Sequence, residues 1–271
     1  METLVKAKFL RTWAKRIAID AAVGYLLGCA VGMLMMNTLM FRPHAPSYSW
    51  ESPNVVNIGG ASAPVAAIWL PNAATNRVVL YSHGNGEDIG DFAGFYGLFA
   101  EAGLSLLIYD YPGYGLSAGK PTEQGAYDTA EAAYRFLAER CAVAPSDIIA
   151  LGRSIGSGPA CYLAEKYPVG GLVIESGFTS APRVVTRIRI LPFDPFPNIR
   201  RIPNIPCPKL FIHGTVDGTV PFAHAKAMLA AAREPKAHLW VEGAGHDDIL
   251  DALGEAAYFE ALNALADTGQ D

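Results

Sequence analysis

The sequence predicts an α/β fold, with a mostly parallel central sheet, helices on both faces, a short lid insertion and an N-terminal transmembrane helix. Three observations lead to this prediction. From residue 55 onward, short continuous apolar runs alternate with segments of helical periodicity, as is typical of parallel strands that are buried on both faces. A proline-rich stretch, 178–208, interrupts the alternation, and a long uncharged apolar segment, 21–41, precedes it.

The N-terminal segment begins basic and continues apolar. Residues 1–16 hold five basic residues against the acid Glu2, and residues 21–41 carry no charge. Twenty-one helical residues span roughly 31 Å, which is enough to cross the hydrocarbon core of a bilayer. We therefore predict a basic segment, 1–16, followed by an uncleaved transmembrane anchor, 17–41, with a buried soluble helix as the alternative.

The same segment carries two further predictions. Because the positive charge lies before the span, the positive-inside rule places the N-terminus in the cytoplasm and the rest of the chain on the far side. Gly24, Gly28 and Gly32 form a stripe of small residues along one face of the helix. Such a stripe lets two membrane helices approach closely, so a weak homodimer through these glycines is predicted.

The body is predicted as one domain, 55–271, that follows a proline-containing linker, 42–54. Two strands at 55–58 and 65–70 are expected to form an antiparallel pair at the sheet edge. The other predicted strands are 78–82, 104–109, 148–151, 171–175, 209–213 and 238–241. The predicted helices are 91–102, 124–140, a helix that starts after 152 and runs through 166, 222–233 and 248–266.

Composition narrows the functional classes. The chain has 271 residues, of which 51% are hydrophobic and 17% charged, a balance that supports a sizeable core. A net charge of −5 gives no reason to expect nucleic acid as a partner. The scattered cysteines exclude a CxxC metal site and a disulfide framework, and they leave the redox compartment open. They are Cys29, Cys141, Cys161 and Cys207.

The strongest catalytic signal is the run Gly152-Arg153-Ser154-Ile155-Gly156, directly after an apolar strand. It matches G-x-S-x-G, a tight strand-to-helix turn that exposes a nucleophilic serine at the carboxyl end of a sheet. Glycine is needed two residues before and after the serine, because a Cβ at either place would clash. Ser154 is therefore the candidate nucleophile.

A serine hydroxyl is a poor nucleophile and needs a positioned base. Asp217 and His246 each follow a predicted strand, in the chain order serine, acid, histidine that this architecture uses. His246 would take the proton of Ser154, and Asp217 would orient the imidazole and stabilise its charged form. The less favoured alternatives for the acid are Glu175, Asp247 and Asp248.

An oxyanion hole is expected from two backbone N–H groups, those of Ile155 and Asn85. Gly84 and Gly86 on either side of Asn85 let that loop approach the reacting carbonyl. No glycine-rich run matches a nucleotide-binding motif. The remaining histidines lack metal-ligand spacing, so no metal site is predicted. They are His44, His83, His213, His224 and His238.

Taken together, the motifs resemble the α/β-hydrolase superfamily over residues 55–266. More narrowly, they look like its membrane-associated α/β-hydrolase-domain branch, which includes protein depalmitoylases. The segments that carry this resemblance are SHGNG, YDYPGYGLSAGKPTEQG, GRSIGSG, ESGFTS, HGTVDGTVP and GAGHDD. The resemblance implies a triad of Ser154, Asp217 and His246 and no cofactor. Known depalmitoylases of the branch are anchored by an acylated cysteine cluster, whereas the apparent transmembrane helix here contains only Cys29.

We therefore predict a membrane-anchored serine hydrolase that cleaves carboxylic esters or thioesters through an acyl-enzyme. The alternatives are an aminopeptidase-like serine peptidase with the same triad and a catalytically silent membrane scaffold.

The lid, 178–208, is predicted to offer an apolar surface to an acyl chain and arginines to anionic headgroups. The alternative is a solvated loop that merely covers the sheet. The apolar residues are Val184, Val185, Ile188, Ile190, Leu191, Phe193 and Phe196. The arginines are Arg183, Arg187, Arg189, Arg200 and Arg201.

Overall fold

The computed structural model describes residues 2–60, 62–187 and 191–267, and it contains one sheet of eight strands in the order β1-β2-β4-β3-β5-β6-β7-β8. The strands are β1 Val55–Asn57, β2 Ala66–Leu70, β3 Val78–Ser82, β4 Ser105–Tyr109, β5 Ile148–Arg153, β6 Gly171–Glu175, β7 Lys209–Gly214 and β8 Lys236–Val241. From β4 to β8 every neighbouring pair is parallel. The predicted α/β-hydrolase fold with a mostly parallel sheet is confirmed.

The antiparallel pairing is confined to one edge of the sheet. Strand β2 runs antiparallel to both of its neighbours, β1 and β4. The predicted antiparallel pair at the sheet edge is therefore present. All other strands point their carboxyl ends to the same side, so the loops that follow them meet there.

Helices cover both faces of the sheet, as predicted. The side chains of α3 (Glu123–Arg135), α4 (Ser157–Lys166) and α7 (Ala223–Ala231) pack into one apolar core. Those of α2 (Tyr96–Glu101) and α9 (Glu255–Asp267) pack into a second core on the opposite face. The central strands β3 to β7 are buried throughout except at Arg153, which explains their continuous apolar sequences.

Three predicted helices differ from the structure at their ends. The helix predicted at 91–102 is a 3-10 turn, Ile89–Phe92, followed by the shorter α2, because Asp88 caps the earlier turn. The helix predicted at 124–140 is α-helical only to the end of α3 at Arg135, and its last turn, Phe136–Arg140, is a π-helix. The helix predicted at 248–266 is broken at Gly254, with φ +84°, into α8 (Ile249–Leu253) and α9.

The predicted lid is an irregular segment with two short helices, α5 (Ala181–Thr186) and α6 (Asn198–Arg201). Its predicted surface residues Ile188, Arg189 and Ile190 lie outside the described residues. Several lid arginines are already paired within the protein. Arg183 and Arg200 contact one oxygen of Asp194 at 2.6 and 3.2 Å, and Arg201 pairs with Glu165.

At the N-terminus, the predicted basic segment and anchor form one continuous helix, α1 (Glu2–Met40). Its stretch Phe9–Met40 is long and apolar enough to cross a membrane, judged by length and composition. A buried core helix was the alternative, but only 6% of the most apolar window is buried in the protein. The described part of the chain therefore carries one candidate membrane span, and most of the surface of that span is exposed.

Candidate active site

The serine turn has the geometry that its glycines predict. Ser154 directly follows β5 and adopts φ +53°, a conformation that non-glycine residues rarely take. A Cβ on Gly152 would collide with the backbone of Gly156, and one on Gly156 would collide with the backbone of Ser82. The turn is therefore possible only with glycine at both places, and it holds the Ser154 side chain above the carboxyl end of the sheet.

The structure brings the three predicted triad residues together. His246 Nε2 lies 3.0 Å from Ser154 Oγ, and His246 Nδ1 lies 2.7 Å from Asp217 Oδ2. Asp217 follows β7 and His246 follows β8, two adjacent parallel strands. The result is a continuous hydrogen-bonded path from a buried carboxylate through an imidazole to the serine hydroxyl.

The Asp217 carboxylate is strongly held in its charged form. Burial alone would raise its pKa, but hydrogen bonds from His213 and His246 and from the Val220 N–H outweigh burial and hold the pKa well below its usual value. The N–H groups of Thr219 and Val220 donate to Oδ1 at 2.8 and 2.7 Å. Asp217 therefore presents Oδ2 to His246 as a negatively charged acceptor.

The alternative acids are engaged elsewhere. Glu175 contacts Arg153 Nε at 3.4 Å and accepts from the Tyr258 hydroxyl at 2.6 Å. Asp247 pairs with Arg153 at 2.7 Å. Asp248 accepts from the Gly245 N–H at 2.6 Å. These bonds leave Asp217 as the acid that contacts His246.

The two predicted oxyanion residues line the same cavity as Ser154 and His246. The Asn85 side chain is turned away into a fixed network, where its Oδ1 accepts from the Tyr114 hydroxyl at 2.7 Å and from the Arg42 N–H at 2.9 Å. The oxyanion loop, residues 83–86, is thus tied down through a side chain while its backbone borders the cavity. An oxyanion hole requires donors held in place, and this role for the Asn85 and Ile155 N–H groups stays a prediction.

A second set of contacts holds His83, the first residue of this loop, in place. His83 is fully buried, stacks near Tyr111 and lies 3.3 Å from the Asp110 carboxylate. The Tyr111 hydroxyl donates to the His83 carbonyl at 2.7 Å. Sequence reasoning missed these contacts, although the aromatic and aspartate pattern of YDYPGYG was a signal that this loop is packed rather than free.

Residues 41–48, which we call the strap, connect α1 to this network. Phe41 packs edge-on against Tyr114 and Phe196, and the Arg42 N–H donates to the Tyr114 hydroxyl at 2.9 Å as well as to Asn85. Further along, the Ser47 N–H donates to Asp88 at 2.7 Å, and the Tyr48 hydroxyl donates to Asp110.

The first part of the predicted linker, 42–54, is therefore hydrogen-bonded to the loops around the cavity. Proline content suggested a linker, and a sequence pattern does not reveal partners that lie more than 40 positions away in the chain.

Arg153 is the largest omission of the sequence analysis. Its guanidinium contacts the carboxylates of Glu87, Glu175 and Asp247, which belong to three separate loops or strands. Glu87 in turn accepts from the Gly84 N–H at 2.8 Å. Arg153 therefore links the serine turn to the oxyanion loop and to the residue after His246.

The electrostatics of this cluster follow from burial. Burial would lower the pKa of Arg153, but Tyr81, Glu87 and Glu175 around it raise the pKa above its ordinary value. For Glu175, burial raises the pKa and Arg153 only partly opposes that rise. The signal in the sequence was the charged residue beside the nucleophile, in a strand that is otherwise apolar.

A cavity of about 620 Å³ opens over Ser154. One side is polar and contains Ser154, His246, Arg153 and the oxyanion loop. The other side is apolar and is formed by the last turns of α1 and by the lid. A site of this shape holds a carbonyl group at its polar side and an apolar substituent beside it.

Among the described residues, one cluster of potential metal ligands is present, although none was predicted. Ligand atoms of His44, Asp88 and Asp91 lie within 4.8 Å of one another. Their oxygens already accept from Ser47, from Gly90 and from His44, in a capped helical turn. The cluster therefore has a structural explanation in the strap contact.

The chain is similar in sequence to known hydrolases. The model of the family described as serine aminopeptidase S33 matches residues 73–193. The human alpha/beta hydrolase domain-containing protein 17B is 41% identical over 182 residues, which cover 66% of this chain and 62% of that protein. Protein 17C of Xenopus tropicalis is 42% identical, with 63% of this chain and 56% of that protein covered. The matched part thus spans less than two thirds of these relatives.

Solved structures show the same fold at low sequence identity. An esterase of Pyrococcus furiosus superposes with a TM-score of 0.68 and 14% identity, over 84% of this chain and 98% of that one. A monoacylglycerol lipase of Paleococcus ferrophilus superposes with a TM-score of 0.60 and 18% identity, over 75% of this chain and 98% of that one.

Proposed function

Because the chain belongs to the α/β-hydrolase superfamily, we propose that it is a membrane-anchored serine hydrolase that cleaves carboxylic ester or thioester bonds through an acyl-enzyme. The observation that carries the proposal is the hydrogen-bonded path Ser154–His246–Asp217, with distances of 3.0 and 2.7 Å. Three polar side chains from separate strand ends have no structural need to align in this way.

In the first half of the proposed reaction, His246 Nε2 takes the proton of Ser154 as Oγ attacks the substrate carbonyl carbon. Asp217 accepts a hydrogen bond from His246 Nδ1 and stabilises the imidazolium that forms. The tetrahedral intermediate places its negative oxygen against the N–H groups of Ile155 and Asn85. His246 then protonates the departing alkoxide or thiolate, and Ser154 is left acylated.

In the second half, a water molecule replaces the leaving group. His246 removes a proton from the water as it attacks the acyl carbonyl, and the same oxyanion donors stabilise the second intermediate. The return of the proton to Ser154 releases the carboxylic acid. Each oxyanion donor contributes about 3–4 kcal/mol of transition-state stabilisation in hydrolases of this type. No step needs a cofactor.

The shape of the cavity favours an ester or thioester with an apolar acyl group. Its wall opposite the polar side consists of apolar residues from α1 and the lid. A peptidase remains the second candidate, since the same triad opens amides and the matching family model is described as a serine aminopeptidase. A silent scaffold is disfavoured, because a scaffold does not require a glycine-constrained turn that presents Ser154 to His246.

The membrane part of the proposal rests on α1. We place its span, within residues 17–41, across the bilayer with the N-terminus in the cytoplasm and the α/β body on the far side, following the basic residues before the span. The weak homodimer remains a prediction that Gly24 and Gly28 support best. A Cβ on either would find no described atom within 4 Å, whereas one on Gly32 would lie 3.5 Å from Phe193 Cζ.

The proposal is tested with a panel of substrates and the full-length protein in detergent. The panel contains p-nitrophenyl esters, acyl thioesters and aminoacyl amides, and Ser154→Ala is the control. We expect hydrolysis of esters and thioesters, slower or absent cleavage of amides, and no activity above background for Ser154→Ala. Cleavage of amides alone would favour the peptidase, and activity that survives in Ser154→Ala would contradict the mechanism.

A further inference from the structure

We propose that the membrane span itself forms one wall of the substrate pocket. On this proposal, the hydrocarbon part of a membrane-resident ester or thioester binds between α1 and the lid and reaches Ser154 from the bilayer. The inference rests on the proposed function for the bond that is cleaved. It adds where the substrate comes from and which residues select it.

The first observation is a face of α1 that contacts the body. Cys29 is buried, and Gly32, Met36 and Met40 are partly buried, while most residues between them are exposed. This spacing of three to four residues marks one side of a helix. On the opposite side, Leu34 is 84% exposed. The helix therefore lies close to the body along a stripe from Gly32 to Met40.

The second observation is that this stripe lines the cavity over Ser154. Gly32, Met36, Leu39 and Met40 of α1 share the cavity with Ser154 and His246. The lid supplies the facing apolar wall with Val184, Val185 and Leu191. Val185 is 83% exposed although it is a large apolar residue. Apolar surfaces that face each other across a cavity, with the carbonyl-binding groups at its end, fit a hydrocarbon chain.

The third observation concerns depth in the membrane. Gly32 precedes the last residue of α1, Met40, by eight positions, which corresponds to roughly 12 Å along the helix. The hydrocarbon core of a bilayer is roughly 30 Å thick. If the apolar end of α1 lies at the membrane surface, the cavity wall between Gly32 and Met40 lies within the lipid. The space between α1 and the lid then opens to acyl chains rather than to water.

The fourth observation is that the end of the span is fixed relative to the nucleophile. Phe41 is buried between Tyr114 and Phe196, and the Arg42 N–H is bonded to Asn85 of the oxyanion loop. A free linker would let the anchor move away from the pocket. The strap instead holds Met36 and Leu39 at a constant position over the active site.

The test introduces tryptophan side chains into the proposed pocket at positions of α1. Met36→Trp and Leu39→Trp place a bulky ring in the cavity, and Leu34→Trp makes the same kind of change on the opposite, exposed side of the helix. All three are made in the full-length protein in detergent. The measurement is kcat/KM for the p-nitrophenyl esters of palmitate and butyrate.

We expect the palmitate-to-butyrate ratio of kcat/KM to fall about ten-fold in Met36→Trp and Leu39→Trp, because overfilling a pocket excludes the longer chain. Leu34→Trp should leave the ratio within about two-fold of wild type. An unchanged ratio in both pocket variants, or an equal fall in Leu34→Trp, would overturn the proposal.

A binding measurement separates this inference from the proposed chemistry. In the Ser154→Ala background, affinity for a fluorescent stearate is measured with and without each tryptophan. We expect weaker binding, by about five-fold or more, for Met36→Trp and Leu39→Trp but not for Leu34→Trp. Loss of binding without any hydrolysis by the wild-type protein would support the pocket and refute the hydrolase. Equal binding by all variants would refute the pocket and leave the hydrolase standing.

Discussion

The two sides of the cavity over Ser154 are built in opposite ways. The polar side consists of strand ends and tight turns, and its groups are joined by charged hydrogen bonds such as those of Asp217 and Arg153. The apolar side consists of a long helix and an irregular lid, which approach each other at Gly32 and Phe193, where an added Cβ would lie 3.5 Å from Phe193 Cζ. Catalysis on the polar side requires fixed distances and angles, whereas substrate binding on the apolar side requires only a pocket of suitable shape and volume.

We therefore expect the polar side to determine the rate of the reaction and the apolar side to determine which substrates bind. Charged hydrogen bonds are directional, so a small displacement on the polar side should lower kcat for every substrate. Apolar contacts are not directional, so changes on the other side should alter which substrates bind and leave the reaction itself intact. The variants below test whether the two sides behave independently.

The largest effect is expected from Asp217→Asn on the polar side. The amide keeps the size of the side chain but removes the negative charge that His246 needs, so kcat should fall by roughly 10⁴-fold. The fall should be the same for short and long esters, and the measurement is kcat for both. A loss restricted to long esters would contradict the separation of the two sides.

A smaller effect is expected from Arg153→Met. The change leaves Glu87 and Glu175 without their cation, so kcat should fall by roughly 10- to 100-fold, and the free energy of unfolding should fall by about 3 kcal/mol. Arg153→Lys should restore part of both losses. Arg233→Met, which replaces an exposed arginine, is the matched control. Wild-type kcat in a folded Arg153→Met protein would show that the cluster does not position the catalytic loops.

The smallest effect is expected where the two sides meet, from Tyr114→Phe. This change removes a hydroxyl that donates to Asn85 and accepts from Arg42 of the strap, at a cost of about 1 kcal/mol. We expect kcat to fall by roughly two- to five-fold, with KM nearly unchanged. Tyr127→Phe, which removes a hydroxyl bonded to Glu123 instead, is the control. If KM for long esters rises while kcat stays constant, the strap serves the pocket and not the oxyanion loop.

The sequence was informative about the polar side because its signals are local. The spacing of Gly152, Ser154 and Gly156 describes one turn, and the parallel strand order predicts that the loops with Asp217 and His246 meet. The antiparallel edge pair and the helices on both faces could likewise be predicted from periodicity. Helix ends were less predictable, because a cap at Asp88 and a single glycine at 254 decide them.

The contacts that hold the two sides in place could not be predicted in the same way, because they join residues that lie far apart in the chain. Arg42 meets Asn85 across 43 positions, and Arg153 meets Glu87 across 66 and Asp247 across 94. An apolar helix that crosses a membrane and one that also lines a pocket share the same composition. Only the position of Met36 and Leu39 in the lining of the cavity over Ser154 distinguishes them.

Covalent trapping is the sharpest test of whether Ser154 is a nucleophile activated by His246 and Asp217. The full-length protein is treated with a fluorophosphonate probe, and the modified peptide is identified by mass spectrometry. We predict a single adduct on Ser154 in the wild-type protein, no adduct in Ser154→Ala, and labelling of Asp217→Asn that is slower by orders of magnitude. Absence of labelling in the wild-type protein, or an equal yield from Ser154→Ala, would contradict the account.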